Sequence, residues 1–428
     1  MSRAEDEART TTCPGAGVQE LFGTSELANK ERVTQRMSHP ETAVHRFAVK
    51  RLTLTDFRNY RNLRLDTPAG MLVFTGDNGV GKTNLLEAVS FLVPGRGLRR
   101  PKLSDIAWRQ GKTGGNAWAV TARLETPKGP CDVGTGLELQ TGGDTGGNSG
   151  ERRAVKIDGE TQRSQSALSG SMSAHWLTPQ MDRLFQEGSS ARRRFLDRMV
   201  FGWDSAHAGR VTAYEQAMRQ RMKLLRDGRS SDSAWLSALE ETMALKGIAV
   251  AVARLDVAAR LSLAAKDGWG PFPGVDVAVQ GDLEGWLAEG PALVAEDKFR
   301  ASLEANRAGD RRSGRTRSGP QRSDLIVKHR PKELDAALCS TGEQKALLTG
   351  LVLANARTRA AEEGGVPVLL LDEVAAHLDE ERRTALFDAL FDLGCQAWLT
   401  GTDAILFEPL RGRADFFTVD AGSVECTG

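Results

Sequence analysis

Gly76-Asp77-Asn78-Gly79-Val80-Gly81-Lys82-Thr83, GDNGVGKT in one-letter code, has the spacing of a phosphate loop. Glycines at this spacing let backbone N–H groups converge on phosphate oxygens at a helix N-terminus. Lys82 is then placed to neutralise β- and γ-phosphates, and the Thr83 hydroxyl to ligate magnesium. The flanks agree: MLVFTG before the motif is a short apolar run ending in glycine, and NLLEAVSFLV after Thr83 has helical spacing. An acidic partner, LLLDE ending at Asp372-Glu373, arrives only far downstream. In a compact nucleotide-binding domain the two stretches lie on neighbouring strands, so the sequence poses the question of what fills the gap.

Asp372 closes an unbroken apolar run, Val368 to Leu371, which reads as a buried parallel strand. Ligands bind at the C-terminal ends of such strands. Asp372 therefore suits magnesium, directly or through water, and Glu373 suits orienting or deprotonating an attacking water. Upstream, Cys339-Ser340-Thr341-Gly342-Glu343-Gln344-Lys345 opens a helix. Taken alone it reads equally as an N-cap, with Ser340 capping and Glu343 completing a capping box, or as an anion site. Its place shortly before the acidic strand favours the anion site.

The 428 residues suffice for two domains or one discontinuous one, and a net charge of +1 gives no global preference for nucleic acid. Five widely spaced cysteines, odd in number and without a CxxC pair, argue against a disulfide framework and a cysteine zinc site, and fit a reducing cytoplasm. No apolar run is long enough to span a bilayer; the best, IAVAVARLDVAARLSLAA from Ile248, is broken by Arg254, Asp256 and Arg260 and reads as an amphipathic helix. The N-terminus has no apolar core of a secretory signal.

Along the chain, residues 1–46 lack periodicity and read as a disordered tail, within which Met37 is a second candidate start and residues 1–36 a dispensable segment. FAVKRLTLTDFRNYRNLRLD predicts paired strands, and residues 116–156 predict more strands around a flexible glycine-rich tip at 141–150. Residues 189–266 are helical in spacing with a turn at DGRSSDS, and 307–324 form a basic loop. The chain thus leaves an α/β unit near residue 180, builds something helical, and returns near 320.

Phosphate loop, S-x-G-x-Q segment and LLLDE followed by H-L-D, in that order around an insert, resemble the ABC-type ATPase heads. DFRNY, GDNGVGKTNLLEAV, RRRFLDRMV, GPQRSDL and STGEQKALL together resemble, more closely, the RecF family of bacterial DNA replication and repair proteins, over about residues 47–428. The family's usual histidine and second aspartate in the GPQRSDL segment are Gln321 and Ser323 here. The resemblance implies an α/β fold: an ABC-type P-loop ATPase head of mixed sheets and helices (lobe I, 47–179 and 319–428) with an inserted, mainly helical lobe II (180–318). It implies ATP and Mg²⁺ as cofactors and an ATP-dependent homodimer sandwiching two nucleotides. Lys82, Thr83, Asp372 and Glu373 would act from one subunit, and Ser340, Gly342 and Gln344 would reach the γ-phosphate held by the other. Asp379 falls at the D-loop position, Gln180 in TPQMDRLF at the Q-loop, and Thr400 in QAWLTGTD at the switch-like position; His377 reads as a surface residue.

The same resemblance implies binding of duplex, gapped or junction DNA, the mediators RecR and RecO, recombinase loading at single-stranded gaps, a part in the SOS response, and slow DNA-dependent hydrolysis acting as a switch in the cytoplasm. From the residues alone, 96–112 hold six basic side chains against one acidic, and 299–330 hold nine against three, both suited to phosphate backbones or, for the second, equally to a solvated loop. No aromatic-interleaved single-strand platform is evident. Alternatives are another chromosome-maintenance or repair ATPase, which needs long heptads in the insert, a transporter ATPase subunit, and a DNA-binding scaffold with weak ATPase.

Overall fold

The computed structural model describes residues 10–11, 46–68, 70–110, 113–114, 117–138, 152–227, 233–362 and 365–427. The expected flexible tip at 141–150 and most of the expected disordered tail lie outside these residues. One pairing is at odds with a wholly unstructured tail: Thr10–Thr11 runs parallel to Arg64 and Leu65, where a sheet edge offers unpaired backbone groups.

The chain opens with a hairpin, β1 (Ala48–Phe57) and β2 (Tyr60–Asp66), as the alternation of FAVKRLTLTDFRNYRNLRLD predicts. Then come β3 (Met71–Thr75), the phosphate loop and α1 (Lys82–Ser90). β4 (Ala119–Thr126), β5 (Gly129–Glu138) and β6 (Arg152–Ile157) follow, and after them the short β7 (Ala174–Leu177). The chain next forms α2 (Ser189–Trp203), α3 (His207–Asp227) and α4 (Ser233–Ala264), then β8 (Val275–Gln280). Helices α5 (Asp282–Glu289), α6 (Ala292–Ala305) and α7 (Arg307–Ser313) lead to β9 (Asp324–His329). It ends with α8 (Thr341–Ala361), β10 (Val368–Asp372), α9 (Glu380–Leu393), β11 (Ala397–Gly401), β12 (Ala414–Asp420) and β13 (Ser423–Cys426).

Two sheets form the head. β7, β10, β11, β3 and β12 pair in parallel in that order, with β13 antiparallel at the edge. The phosphate-loop strand and the acidic strand are therefore not neighbours, against the expectation: β11 lies between them. β10 and β11 are buried along their whole length, as strands covered on both faces must be. Alternation divides their side chains. Leu72, Phe74, Val368, Leu370, Trp398 and Phe417 face the antiparallel sheet and α1. Met71, Val73, Leu369, Leu371, Leu399 and Phe416 face the helical layer. Phe74 stacks between Trp398 and Phe417, at 5.2 and 5.0 Å between ring centres. The second sheet, in the order β2-β1-β4-β5-β6, is antiparallel, and β4 shows the one-sided burial that such a sheet allows.

The insert contains the expected helices, but two details differ from the sequence reading. β8 pairs antiparallel with β9 from Val275↔His329 to Gln280↔Asp324, so the expected boundary at 318/319 falls between paired strands of one sheet. The first part of the basic loop is helix α7, because Asp310 and Arg307 are drawn inward: Arg221, fully buried, donates to Asp310 and Glu240 at 2.8 Å each, and Arg307 also pairs with Glu240. The apolar run from Ile248 is part of α4. Its Arg254 is buried against Asp197, with two hydrogen bonds of 2.8 Å, whereas Asp256 and Arg260 pair with each other on the exposed face. Among the described residues no helix is long and apolar enough to cross a membrane. Cys131, Cys339 and Cys395 are free thiols.

The Arg192-Arg193-Arg194 run and the GPQRSDL segment explain each other. Arg192 binds both carboxylate oxygens of Asp324 at 2.7 Å, and Arg193 donates to the Ser323 carbonyl at 2.6 Å. Gln321 accepts from the Tyr214 hydroxyl at 2.5 Å, and Ser323 donates to Glu284 at 2.7 Å. The segment braces α2 and α3 from within, and only Arg194 of the run is exposed.

Candidate functional site

The phosphate loop leaves the C-terminal end of β3 with Gly76, Gly79 and Gly81 at φ 145°, 85° and 119°, angles that side-chain-bearing residues rarely adopt. Asp77, Asn78 and Gly79 are exposed, while Val80 packs on the core below. The hairpin end of DFRNY forms the supporting wall. Asn59 Nδ2 donates to the Val80 carbonyl at 2.7 Å, the Tyr60 hydroxyl donates to that of Gly81 at 3.1 Å, and Asn84 Nδ2 donates to Asn59 Oδ1 at 2.7 Å. Arg58 grips both oxygens of the buried Glu87 on α1 at 2.8 and 3.0 Å. These supporting roles are invisible to motif reading, because DFRNY is in sequence well before the loop it holds.

A side chain at Gly81 has no room: a Cβ there meets Asn59 Nδ2 at 2.3 Å and the Tyr60 hydroxyl at 2.8 Å. Gly81→Ala should therefore lower stability by about 1–3 kcal/mol and weaken nucleotide binding. Thermal melts with and without ATP check this; an unchanged melting temperature would show that the hairpin gives way freely.

Lys82 is 4% exposed and its Nζ donates to the carbonyls of Gly76 and Asp77 at 2.6 and 2.7 Å. Burial pushes its ammonium below the ordinary lysine value, against the pull of Glu373, Asp372 and Asp77. The Thr83 hydroxyl donates to Asp372 Oδ1 at 2.9 Å, closing a contact across 289 residues. Thr400, at the end of β11, donates to the same oxygen at 2.8 Å, and its hydroxyl also accepts from the Glu373 N–H at 3.1 Å. The intervening strand thus supplies the third member of the cluster, and Thr400 acts by orienting Asp372 and the start of the Glu373 turn. Burial raises the Asp372 carboxyl above its usual range, with the hydrogen bonds from Thr400 and Thr83 opposing. Glu373 itself has φ 55° and half-buried placement; a non-glycine residue held there stores about 1–3 kcal/mol and turns off the strand line.

These oxygens fit magnesium. Among the described residues no group of three or more His, Cys, Asp or Glu converges, so the protein offers a hydroxyl and one buried carboxylate. That is the sparse oxygen set of a Mg²⁺ site completed by substrate phosphates and water.

The remaining predicted residues divide. Ser340 is exposed and caps α8 in a capping box, its Oγ and N–H both donating to Glu343 Oε2 at 2.9 Å. Lys332, pairing with Glu343, and these Ser340 contacts hold the Glu343 carboxyl down at about 2. Gly342 is exposed beside Arg382. Gln344 does not stand with them: it is 1% exposed and donates inward to the Cys339 carbonyl at 2.8 Å. It stands four positions after Ser340, on the same side of the helix by periodicity, but its side chain turns inward onto the loop carbonyls and shapes that loop. Asp379 is exposed and caps α9 by accepting from Arg382 N–H at 2.8 Å. His377 is exposed, in line with the surface reading. Gln180 is on the 3-10 turn Pro179–Arg183 and lines a different cavity from the one beside Asp372; the turn's Pro179 and Asp182 face the latter.

A phosphate loop, an acidic strand end and a helix-opening serine motif on a two-sheet head with a long insert define an ABC-type ATPase head of the SMC kind. In agreement, the model of the RecF/RecN/SMC N terminal domain matches residues 48–408. The chain is 51% identical to the DNA replication and repair protein RecF of Mesorhizobium japonicum, over 88% of this chain and 97% of that protein. It is 49% identical to the RecF protein of Brucella suis biovar 1, over 90% and 98%. A solved structure of the recombination mediator protein RecF with ATPrS, in the RecFOR pathway, shares the fold with a TM-score of 0.76 at 21% identity, covering 90% of this chain and 99% of that one. The Smc head domain from Pyrococcus furiosus, with its extended coiled coil, gives 0.50 at 13% identity, over 89% and 96%. The chain belongs to the RecF family.

Proposed function

We propose that the protein is an ATP-dependent DNA-binding ATPase of recombinational repair and replication restart. The observation that carries this reading is the 2.9 Å contact between Thr83 and Asp372, which joins the phosphate loop to the acidic strand end across 289 residues. Relatives named for DNA replication and repair, and a neighbour solved with an ATP analogue, support it.

In this reading residues 47–179 and 319–428 form the ATPase lobe and 180–318 the inserted lobe. Lys82 releases the loop carbonyls and holds β- and γ-phosphate oxygens, while Thr83 and Asp372 hold Mg²⁺. Bound Mg-ATP supplies the anhydride and the γ-phosphate charge around which a second subunit closes. Glu373 orients or deprotonates the attacking water. Ser340 and Gly342, exposed at the opening of α8, face the nucleotide of the opposite subunit, and Asp379 lies at that junction. Hydrolysis is slow and serves as a release switch. The protein works in the cytoplasm, on duplex, gapped or junction DNA, with RecR and RecO as partners in recombinase loading.

The test is binding to duplex, single-stranded and gapped DNA, with and without ATP, at two salt concentrations. ATP should tighten binding, and binding that ignores ATP at both salts would remove the switch. Arg311 and Arg312 are exposed, without an ion-pair partner among the described residues. Replacing both with alanine should lower the slope of log affinity against log salt by about 0.9 per lost phosphate contact. Arg99, in contrast, is spent on Asn84 Oδ1 at 2.7 Å and Glu87 at 3.8 Å, and is a brace of α1.

A further inference from the structure

Four arginines converge on a cavity that the nucleotide chemistry does not use. It measures about 380 Å³ and lies between the loop 94–100, which follows α1, and helices α2 and α3. Arg96 and Arg100 line it from the loop, and Arg194 and Arg198 from α2. Among the described residues none of the four has a carboxylate within ion-pair distance. Three acids share the wall, but two are engaged elsewhere. Asp197 binds Arg254 through both oxygens at 2.8 Å and His207 at 2.9 Å, and Glu215 lies 3.4 Å from Arg219. Glu187 is the third.

Arg198 is the innermost of the four. Its guanidinium lies 4.0 Å over the Trp176 ring and donates to the Trp176 carbonyl at 3.3 Å, while its Nε is buried without a hydrogen-bond partner. Burial holds its pKa down to about 9. A guanidinium placed this way lacks the counter-charge that normally offsets desolvation. Burial likewise lowers the Arg100 pKa, reinforced by Arg194 and Arg96 nearby.

The wall is also fixed in advance. Arg153 donates to the Gly95 carbonyl at 2.7 Å and to Gln165 Oε1 at 3.0 Å. Arg100 is held at φ 57°, and a Cβ at Gly97 would strike the Phe91 ring at 2.8 Å. A loop backbone braced in this way loses little entropy of its own when an anion arrives.

We propose that this cavity is a second phosphate-binding site, taking one phosphate between Arg96 and Arg100 of the head and Arg194 and Arg198 of the insert. The phosphate comes from a nucleic-acid strand or from a free nucleotide; only the first source rests on the DNA-binding reading above. The cavity also adjoins the ATP machinery. Thr178 lines both this cavity and the crevice beside Asp372. On the turn that follows, Gln180 and Met181 face the arginines, while Asp182 faces the crevice and pairs with Lys345 of α8 at 3.0 Å. An occupied site therefore presses on the turn that Asp372 and the Ser340 helix share.

The experiment uses the full chain carrying Lys82→Met, which removes the phosphate loop as a competitor. Pyrophosphate is titrated calorimetrically and a short duplex by fluorescence anisotropy, with and without Arg100→Gln plus Arg194→Gln, both exposed positions. A matching melting curve verifies folding. Loss of two charge-assisted contacts should weaken the bound probe by about tenfold or more. Duplex weakening with pyrophosphate competition identifies a strand phosphate, and pyrophosphate weakening alone identifies a free nucleotide. Unchanged affinity for both probes overturns the site. If the parent chain binds no duplex at all, the DNA reading fails while the pyrophosphate arm still decides the cavity.

Discussion

Lys82→Met should weaken nucleotide binding by about 100-fold or more, and the ATPase activity it abolishes should partly return when that chain is mixed with Ser340→Arg. Lys82 is the cation of the loop, buried and held by the Gly76 and Asp77 carbonyls, so methionine leaves the β- and γ-phosphates without a counter-charge. Ser340 is exposed and its hydrogen bonds stay within its own turn. Arginine there costs the cap about 1 kcal/mol and leaves nucleotide binding in its own subunit intact, but places a bulky cation where the facing γ-phosphate would meet a hydroxyl. Neither homodimer has a complete site. A mixed dimer pairs the intact loop of the Ser340→Arg chain with the intact Ser340 of the Lys82→Met chain, giving one whole site. Steady-state ATPase across mixing ratios should peak near equal amounts. Full activity of Ser340→Arg alone would sink the sandwich.

The second large effect is expected at Glu373. Glu373→Gln should keep nucleotide binding and stability, because the contacts with Thr400 are made by the Glu373 backbone N–H. The glutamine cannot accept a proton from water, so single-turnover hydrolysis should fall by about 10²–10⁴-fold. If hydrolysis is the release step, the ATP-bound dimer should also persist in size-exclusion chromatography. Hydrolysis within twofold of the wild type would move the base elsewhere, and a short-lived dimer would separate release from chemistry.

Some of this was legible before any coordinates. GDNGVGKT between an apolar run and a helical run could form only a strand–loop–helix, since its glycines adopt positive φ and its flanks match the two periods. The capping box at Ser340 and Glu343 is local chemistry within four residues, and it was one of the two readings the stretch allowed. The buried VLLLD strand announced itself as an unbroken apolar run. The spacing of the motif gave no sign that the Gln344 side chain is buried and bonded to the Cys339 carbonyl, because spacing does not record a side chain's rotamer. β8 was passed over although its six residues alternate as a half-buried strand does, because the long helical runs around it set the reading of the whole insert.

What the sequence determined by itself, then, is the chemistry carried by neighbours in the chain: the phosphate loop, the acidic strand end and the helix cap, each specified by local backbone preference and hydrophobic period. What only the tertiary structure decided is which distant pieces meet. β11 between β3 and β10 brings Thr400 onto Asp372, the packing of the antiparallel sheet on the parallel one brings DFRNY onto the loop, and the packing of the insert brings Arg194 and Arg198 opposite Arg96 and Arg100. Those meetings depend on strand order and on packing across both faces of the sheet, and strand order is set by how the whole chain buries its apolar surface, which no short stretch encodes.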